Sequence, residues 1–195
     1  MRRLLALLAF AAPAAAAADT SLAQLFEAIA KHPPQEAAFT EKKFIALLDK
    51  PVESSGVLIY TPPDRMEKRT LEPRRESLVI DRTTVVIERA GKRRALPLAD
   101  YPEMESIFAG LRDTLRGDLG ALTQRYSAGL HGDTAQWRLT LRPLAGTGSE
   151  KVERIELAGS QWHVSRVEVI LGSGERSVME ITPLAASTHQ PRDPR

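Results

Sequence analysis

The chain has 195 residues, with 27 Lys and Arg against 25 Asp and Glu, and no cysteine. That length suits one domain with a sizeable core, which must be stable without any disulfide. The formal excess of +2 is accounted for by Arg2 and Arg3, so the rest is neutral and argues against nucleic acid, whose phosphates require a basic face.

Met1-Arg2-Arg3, an apolar run from Leu4 to Ala12 and the small residues Ala16-Ala17-Ala18 read as a signal peptide over residues 1–18, cleaved before Asp19. The run is shorter than the roughly 20 apolar residues that span a bilayer, so the mature chain is expected to be exported and soluble. No cysteine stands at the cleavage site to receive a lipid, so no lipid anchor is expected.

A helix is predicted over Thr20 to His32, where Leu22, Leu25, Phe26 and Ile29 form one apolar stripe. Ser21 and Gln24 have capping-box spacing, and Pro33-Pro34 ends the helix. Ala37 to Leu48 reads as a strand centred on Phe39 and Phe44. Pro51 and Ser54-Ser55-Gly56 are expected to break the chain before a strand over Val57 to Thr61. Pro62-Pro63-Asp64 forces a turn, because two prolines fix φ and remove two ladder donors. The next strand runs to Leu71 and stops at Pro73, and Ser77 to Ile80 begins another. Thr83 to Arg89 and Arg93 to Leu98 follow as a hairpin about Gly91-Lys92.

The clearest helical signal is Pro102 to Arg116, with Met104, Ile107, Phe108, Leu111 and Leu115 as its apolar stripe. Pro102 suits the first turn and Gly117 the stop. A shorter helix is predicted over Asp118 to Gln124. Trp137 to Arg142 then alternates as a half-buried strand, and Gly146 to Glu150 reads as a loop. Val152 to Ala158, Val164 to Leu171 and Arg176 to Thr182 are strands at meander spacing. A single domain is expected over residues 19–185, and the polar, proline-containing tail 186–195 is expected to be disordered.

The implied architecture is mainly antiparallel β with α: a strongly curved sheet, with helices between two runs of strands and over its open face. Catalytic patterns are missing from the sequence. His32, His131, His163 and His189 stand far apart at no metal-ligand spacing, no serine lies in a nucleophile elbow, and no glycine-rich loop opens a helix. No enzyme activity, metal or cofactor is expected.

Four features occur in order along the chain: Phe39-Thr40-Glu41 after the first helix, Gly56-x-Leu58, the turn at Pro62-Pro63, and Pro73 seven residues before Ile80-Asp81. With the surrounding helices, this run resembles the outer-membrane lipoprotein carrier (LolA-like) family, in a divergent branch, over nearly all of the chain after the leader. The resemblance implies an unclosed β-barrel lidded by helices over an apolar cavity. It also implies a periplasmic monomer that carries a lipoprotein or another acylated lipid from an inner-membrane donor to an outer-membrane acceptor. The alternative is a lipid-sensing module of the same fold that signals to a protein partner.

On that reading Leu25, Phe26, Leu58, Tyr60, Met66, Ile107, Phe108 and Leu111 are expected to contact the acyl chains. The chain also departs from the family pattern. Met66 and Lys68 replace two aromatics, and Glu41 stands where glutamine is usual. Pro62, with Thr61 before it, occupies the position of the arginine that latches the lid. Arg65 and Lys68 are expected to contact a headgroup or the lid, with Lys68 at the rim facing water as the preferred orientation.

Overall fold

The computed structural model describes residues 21–34, 36–146 and 151–184. The predicted signal peptide over residues 1–18, the predicted tail over residues 186–195 and part of the predicted 146–150 loop lie outside the described residues. Eleven strands form one antiparallel sheet: β1 (Glu36–Phe44), β2 (Val52–Thr61), β3 (Arg65–Glu72), β4 (Glu76–Asp81), β5 (Thr84–Arg89), β6 (Lys92–Pro97), β7 (Tyr126–Gly132), β8 (Trp137–Pro143), β9 (Val152–Ser160), β10 (His163–Leu171) and β11 (Arg176–Pro183). Their order across the sheet is β6-β5-β4-β3-β2-β1-β11-β10-β9-β8-β7. Two meanders, β1 to β6 and β7 to β11, are therefore joined where β1 pairs with β11, Phe39 opposite Ile181. Edge strands β6 and β7 do not pair, so the barrel is unclosed.

Among the described residues three α-helices accompany the sheet: α1 (Leu22–Lys31) before β1, and α2 (Pro102–Leu115) and α3 (Leu119–Thr123) between the meanders. The α1 cap is as expected: Ser21 Oγ accepts from Gln24 N at 3.2 Å, and Ser21 N donates to Gln24 Oε1 at 3.0 Å. Gly117 ends α2 at φ +68, where a side chain would be strained, and a Cβ there would lie 2.3 Å from the Phe26 carbonyl oxygen. That position therefore both stops α2 and lets it pass close to α1. Among the described residues no helix is long and apolar enough to cross a membrane.

β1 ends at Phe44, short of the expected Leu48, and the structure departs from the sequence reading in two further strands. Ser54-Ser55-Gly56, expected as a break, lies inside β2. A Cβ on Gly56 would come 1.9 Å from the Arg69 carbonyl oxygen, and the β2–β3 register shifts between Ser55 and Gly56. The glycine accommodates a bulge within a strand and starts no turn. The second departure is β7, a strand the sequence reading did not contain; its alternation is blurred by Ser127, Gly129 and His131.

Candidate functional site

Strand register defines an inner face. Phe39 and Glu41 of β1, Leu58 and Tyr60 of β2, Met66 and Lys68 of β3, Leu78 and Ile80 of β4, Val85 and Ile87 of β5, and Met179 and Ile181 of β11 all lie on it as cross-strand partners. Two apolar clusters form there. One contains Ile80, Val85, Leu98 and Phe108, with Met66, Leu78, Ile87 and Met104 partly buried against it. The other joins Leu25, Phe26 and Ile29 of α1 to Leu139, Leu141, Ile155 and Leu157 of the second meander. Helix α2 belongs to both, Phe108 reaching the first and Ile107 and Leu111 the second. The sheet therefore curves around this helix.

The buried face of α2 is displaced from the one its periodicity predicts. Ser106, Phe108, Ala109, Gly110, Asp113 and Thr114 are buried, whereas Met104, Ile107, Leu111 and Leu115 are only partly covered. The small residues let the helix approach closely. The Tyr126 hydroxyl donates to the Ser106 carbonyl at 2.5 Å and lies 2.8 Å from Ser106 Oγ. Thr114 Oγ1 returns to the Gly110 carbonyl at 2.7 Å. Polar satisfaction on one side thus leaves Met104, Ile107, Leu111 and Leu115 on a flank that is incompletely sealed, although Phe108 is buried.

The eight expected acyl contacts do not form one group. Leu25 and Phe26 are 2% and 1% exposed inside the second cluster, and Phe108 and Met66 belong to the first. Leu58 and Tyr60 sit between the two on the inner face, Leu58 half-buried and Tyr60 buried. Burial raises the Tyr60 hydroxyl above its ordinary pKa, opposed by Arg116 and Arg112 and assisted by Asp64 and Asp113.

Also on the inner face is a polar centre. Glu41, 4% exposed, accepts from Lys68 Nζ, from Ser177 Oγ at 2.6 Å and from Ser54 Oγ at 3.1 Å. Lys43 Nζ lies 3.8 Å away, and Lys68 Nζ lies 4.9 Å from the centre of the Phe39 ring. Lys68 therefore turns inward to a carboxylate, where the sequence reading preferred the rim. Glu41 and Lys68, two of the residues expected to depart from the family pattern, bond to each other. Burial pushes the Glu41 carboxyl up, but Lys68 and the Ser177 hydroxyl outweigh it and hold the group below the usual carboxylate range. Burial pulls Lys68 below its ordinary value, more than Glu41 raises it.

Arg65 is on the convex face, 3.4 Å from Glu67 and 3.7 Å from Asp81, with the sheet between it and α2. It cannot reach the helix, because side chains alternate along β3 and Met66 takes the inward place. The contact between hairpin and helix has the opposite polarity. Asp64 in the β2–β3 turn lies 3.5 Å from Arg116 and 3.9 Å from Arg112. Arg112 also donates to Asp113 Oδ1 at 2.9 Å. Asp113 is fully buried, and its Oδ2 has no partner among the described residues. Sequence reasoning missed this contact because only the fold brings residue 64 to the end of α2. A cleft of about 460 Å³ on the convex side, lined by Arg65, Val79, Asp81, Arg82 and Arg93 among others, is separate from the inner face.

An open antiparallel half-barrel with a helix across its apolar inner face is the class these features define. The chain belongs to the family of outer membrane lipoprotein carrier protein LolA-like proteins, whose model matches residues 10–189. Among solved structures it is similar to a LolA superfamily protein from Nitrosomonas europaea, with 10% identity over 85% of this chain and 94% of that one, at a TM-score of 0.47. It is similar also to a chain of the Pseudomonas aeruginosa MucA/MucB complex, with 15% identity over 84% of this chain and 56% of that one, at 0.44. For the Mycobacterium tuberculosis lipoprotein LppX the values are 10% identity, 84% and 96% coverage, and 0.42. No curated protein matches the chain.

Proposed function

We propose that this protein is a periplasmic carrier that shields the acyl chains of a lipoprotein or other acylated lipid for transfer towards the outer membrane. Its cargo lies between the inner face of the first meander and the incompletely covered flank of α2. The observation that carries this reading is the incomplete burial of the apolar stripe of α2, of which Phe108 alone is sealed. Its small residues are packed against Tyr126, while Met104, Ile107, Leu111 and Leu115 keep surface available. Half-buried Leu58, Met66, Leu78 and Ile87 lie on the inner face of the first meander, the last three packed in one cluster with Met104. Methionines suit a flexible ligand, since the side chain is unbranched and adapts its shape.

Exposing an acyl chain to water costs about 0.8 kcal/mol per CH₂, or roughly 10 kcal/mol for a chain of about 14 carbons. Enclosure of most of the chain supplies shielding on that scale, and a few surface contacts do not. The Glu41–Lys68 pair presents a polar but locally compensated patch to any headgroup, with the Ser54 and Ser177 hydroxyls already donating to Glu41. Binding and release, with no bond made or broken, is the chemistry this arrangement supports.

The test is native mass spectrometry of protein purified gently from a host with an envelope, together with displacement of a fluorescent fatty acid. Copurifying lipid and displaceable probe are expected. Absence of both sinks the carrier reading. A stable protein partner recovered with no lipid favours the sensing module.

A further inference from the structure

The turn joining β1 to β2 carries apolar residues that the fold does not use. Leu47 is 94% exposed and Leu48 50% exposed, and Val52, where β2 begins, is 42% exposed. The turn itself is ordered by structure: Leu48 N donates to the Ile45 carbonyl at 2.9 Å, which places Leu47 at the corner. Phe44 anchors its base, with the Arg176 guanidinium 4.1 Å from the ring centre. A single exposed leucine needs no explanation, but two adjacent ones projecting from a hydrogen-bonded tip form an apolar point.

The charge around that point is of one predominant kind. In an antiparallel meander the β1–β2, β3–β4 and β5–β6 turns lie at the same end of the sheet. Those turns carry Lys50, Arg74 and Arg75, and Lys92 follows the last of them. None of these four has an ion-pair or hydrogen-bond partner through its side chain among the described residues. The carboxylates beside them are Asp49, Glu72, Glu53 and Glu76, the last two paired with Lys42 and Arg89, and Glu175 lies in the β10–β11 turn at the same end. The opposite end of the sheet holds the Asp64 contact to the C-terminal end of α2, and at this end Glu103 in the first turn of α2 pairs with Lys151 before β9.

We infer that this end of the sheet docks on a lipid bilayer with anionic headgroups, Leu47 and Leu48 entering the interface and Lys50, Arg74, Arg75 and Lys92 meeting the lipid phosphates. Exposed leucines beside unpaired cations fit such a surface, which offers both acyl chains and negative charge. A soluble acidic protein would satisfy the cations but leave the tip without a dry pocket. The inference rests on this surface and not on what the inner face binds.

Cosedimentation of the protein with vesicles of phosphatidylethanolamine and phosphatidylglycerol tests it, with phosphatidylcholine vesicles as the uncharged control. Wild type is expected to bind the anionic vesicles, and salt to weaken the binding. The L47D/L48D protein, altered only at exposed sites and checked for unchanged circular dichroism, is expected to bind about tenfold more weakly. A variant with Lys50, Arg74, Arg75 and Lys92 all changed to Gln is expected to lose its preference for anionic over uncharged vesicles. Wild type that does not sediment, or a leucine variant that sediments equally well, overturns the inference. So does loss of a protein partner through L47D/L48D in the absence of vesicle binding. Protein that holds lipid but ignores vesicles overturns the inference and leaves the carrier reading standing.

Discussion

Arg116, at the C-terminal end of α2, lies 3.5 Å from Asp64 in the β2–β3 turn. This ties the helix that covers the inner face to a hairpin remote in sequence. Both residues are partly exposed, so the pair is weak, within the ~0–1 kcal/mol typical of such contacts. Asp64→Ala is expected to leave global stability nearly unchanged while increasing amide hydrogen exchange across the last turns of α2 and speeding loss of bound lipid. High salt should produce the same loosening in the wild type. Unchanged exchange in the variant would show that α2 is held by packing alone.

Lys68→Met leaves Glu41 buried with only its serine bonds and the more distant Lys43. The expected loss is about 2–3 kcal/mol by denaturant titration, and changing Glu41 to Gln in the same protein should restore most of it. If the single and double variants are equally stable, the pair has no structural role.

The same carboxylate sets a pH dependence. Glu41 has a folded pKa below that of an unfolded glutamate, which is about 4.3. Its contribution is therefore complete above that unfolded value and is lost as pH falls through the folded one. Glu41→Gln should be less stable than wild type at neutral pH, with the gap narrowing in acid. Melting temperatures from about pH 6 to about pH 3 would show it.

Residues of α2 should separate binding from stability. Phe108→Ala, at a sealed position of the first cluster, should cost about 3–5 kcal/mol. Leu111→Ser, on the partly covered flank, should cost much less and yet reduce lipid occupancy in native mass spectra. Equal losses of stability would mean that the flank is ordinary core.

Tyr126→Phe removes the hydroxyl that holds Ser106 to β7. A loss of about 1–2 kcal/mol is expected, together with faster exchange of α2 amides near Ser106. Stability unaffected by the change would place the hold on α2 elsewhere.

How much of this was legible in the residues depended on how local the cause was. The α1 cap needs only Ser21 and Gln24, three positions apart, and both bonds are present. The proline turn at Pro62-Pro63 and the alternation of Trp137, Leu139 and Leu141 are equally local, and β2 ends and β8 runs where they indicate. Gly56 misled because a glycine in a turn and a glycine at a bulge look alike until the Arg69 carbonyl arrives beside it.

By itself, then, the sequence determined the strand and helix types, the near-complete run of antiparallel strands and the family, because these follow from periodicity, turn chemistry and ordered motifs. Only the tertiary structure decided that Lys68 turns inward to Glu41, that Asp64 meets Arg116, and that α2 buries Phe108 and its small residues while leaving Met104, Ile107, Leu111 and Leu115 half covered. Each of those outcomes depends on which distant group supplies a charge, a hydrogen bond or a steric limit. Pairings of that kind are set when the sheet curves around the helix, and no local pattern along the chain encodes them.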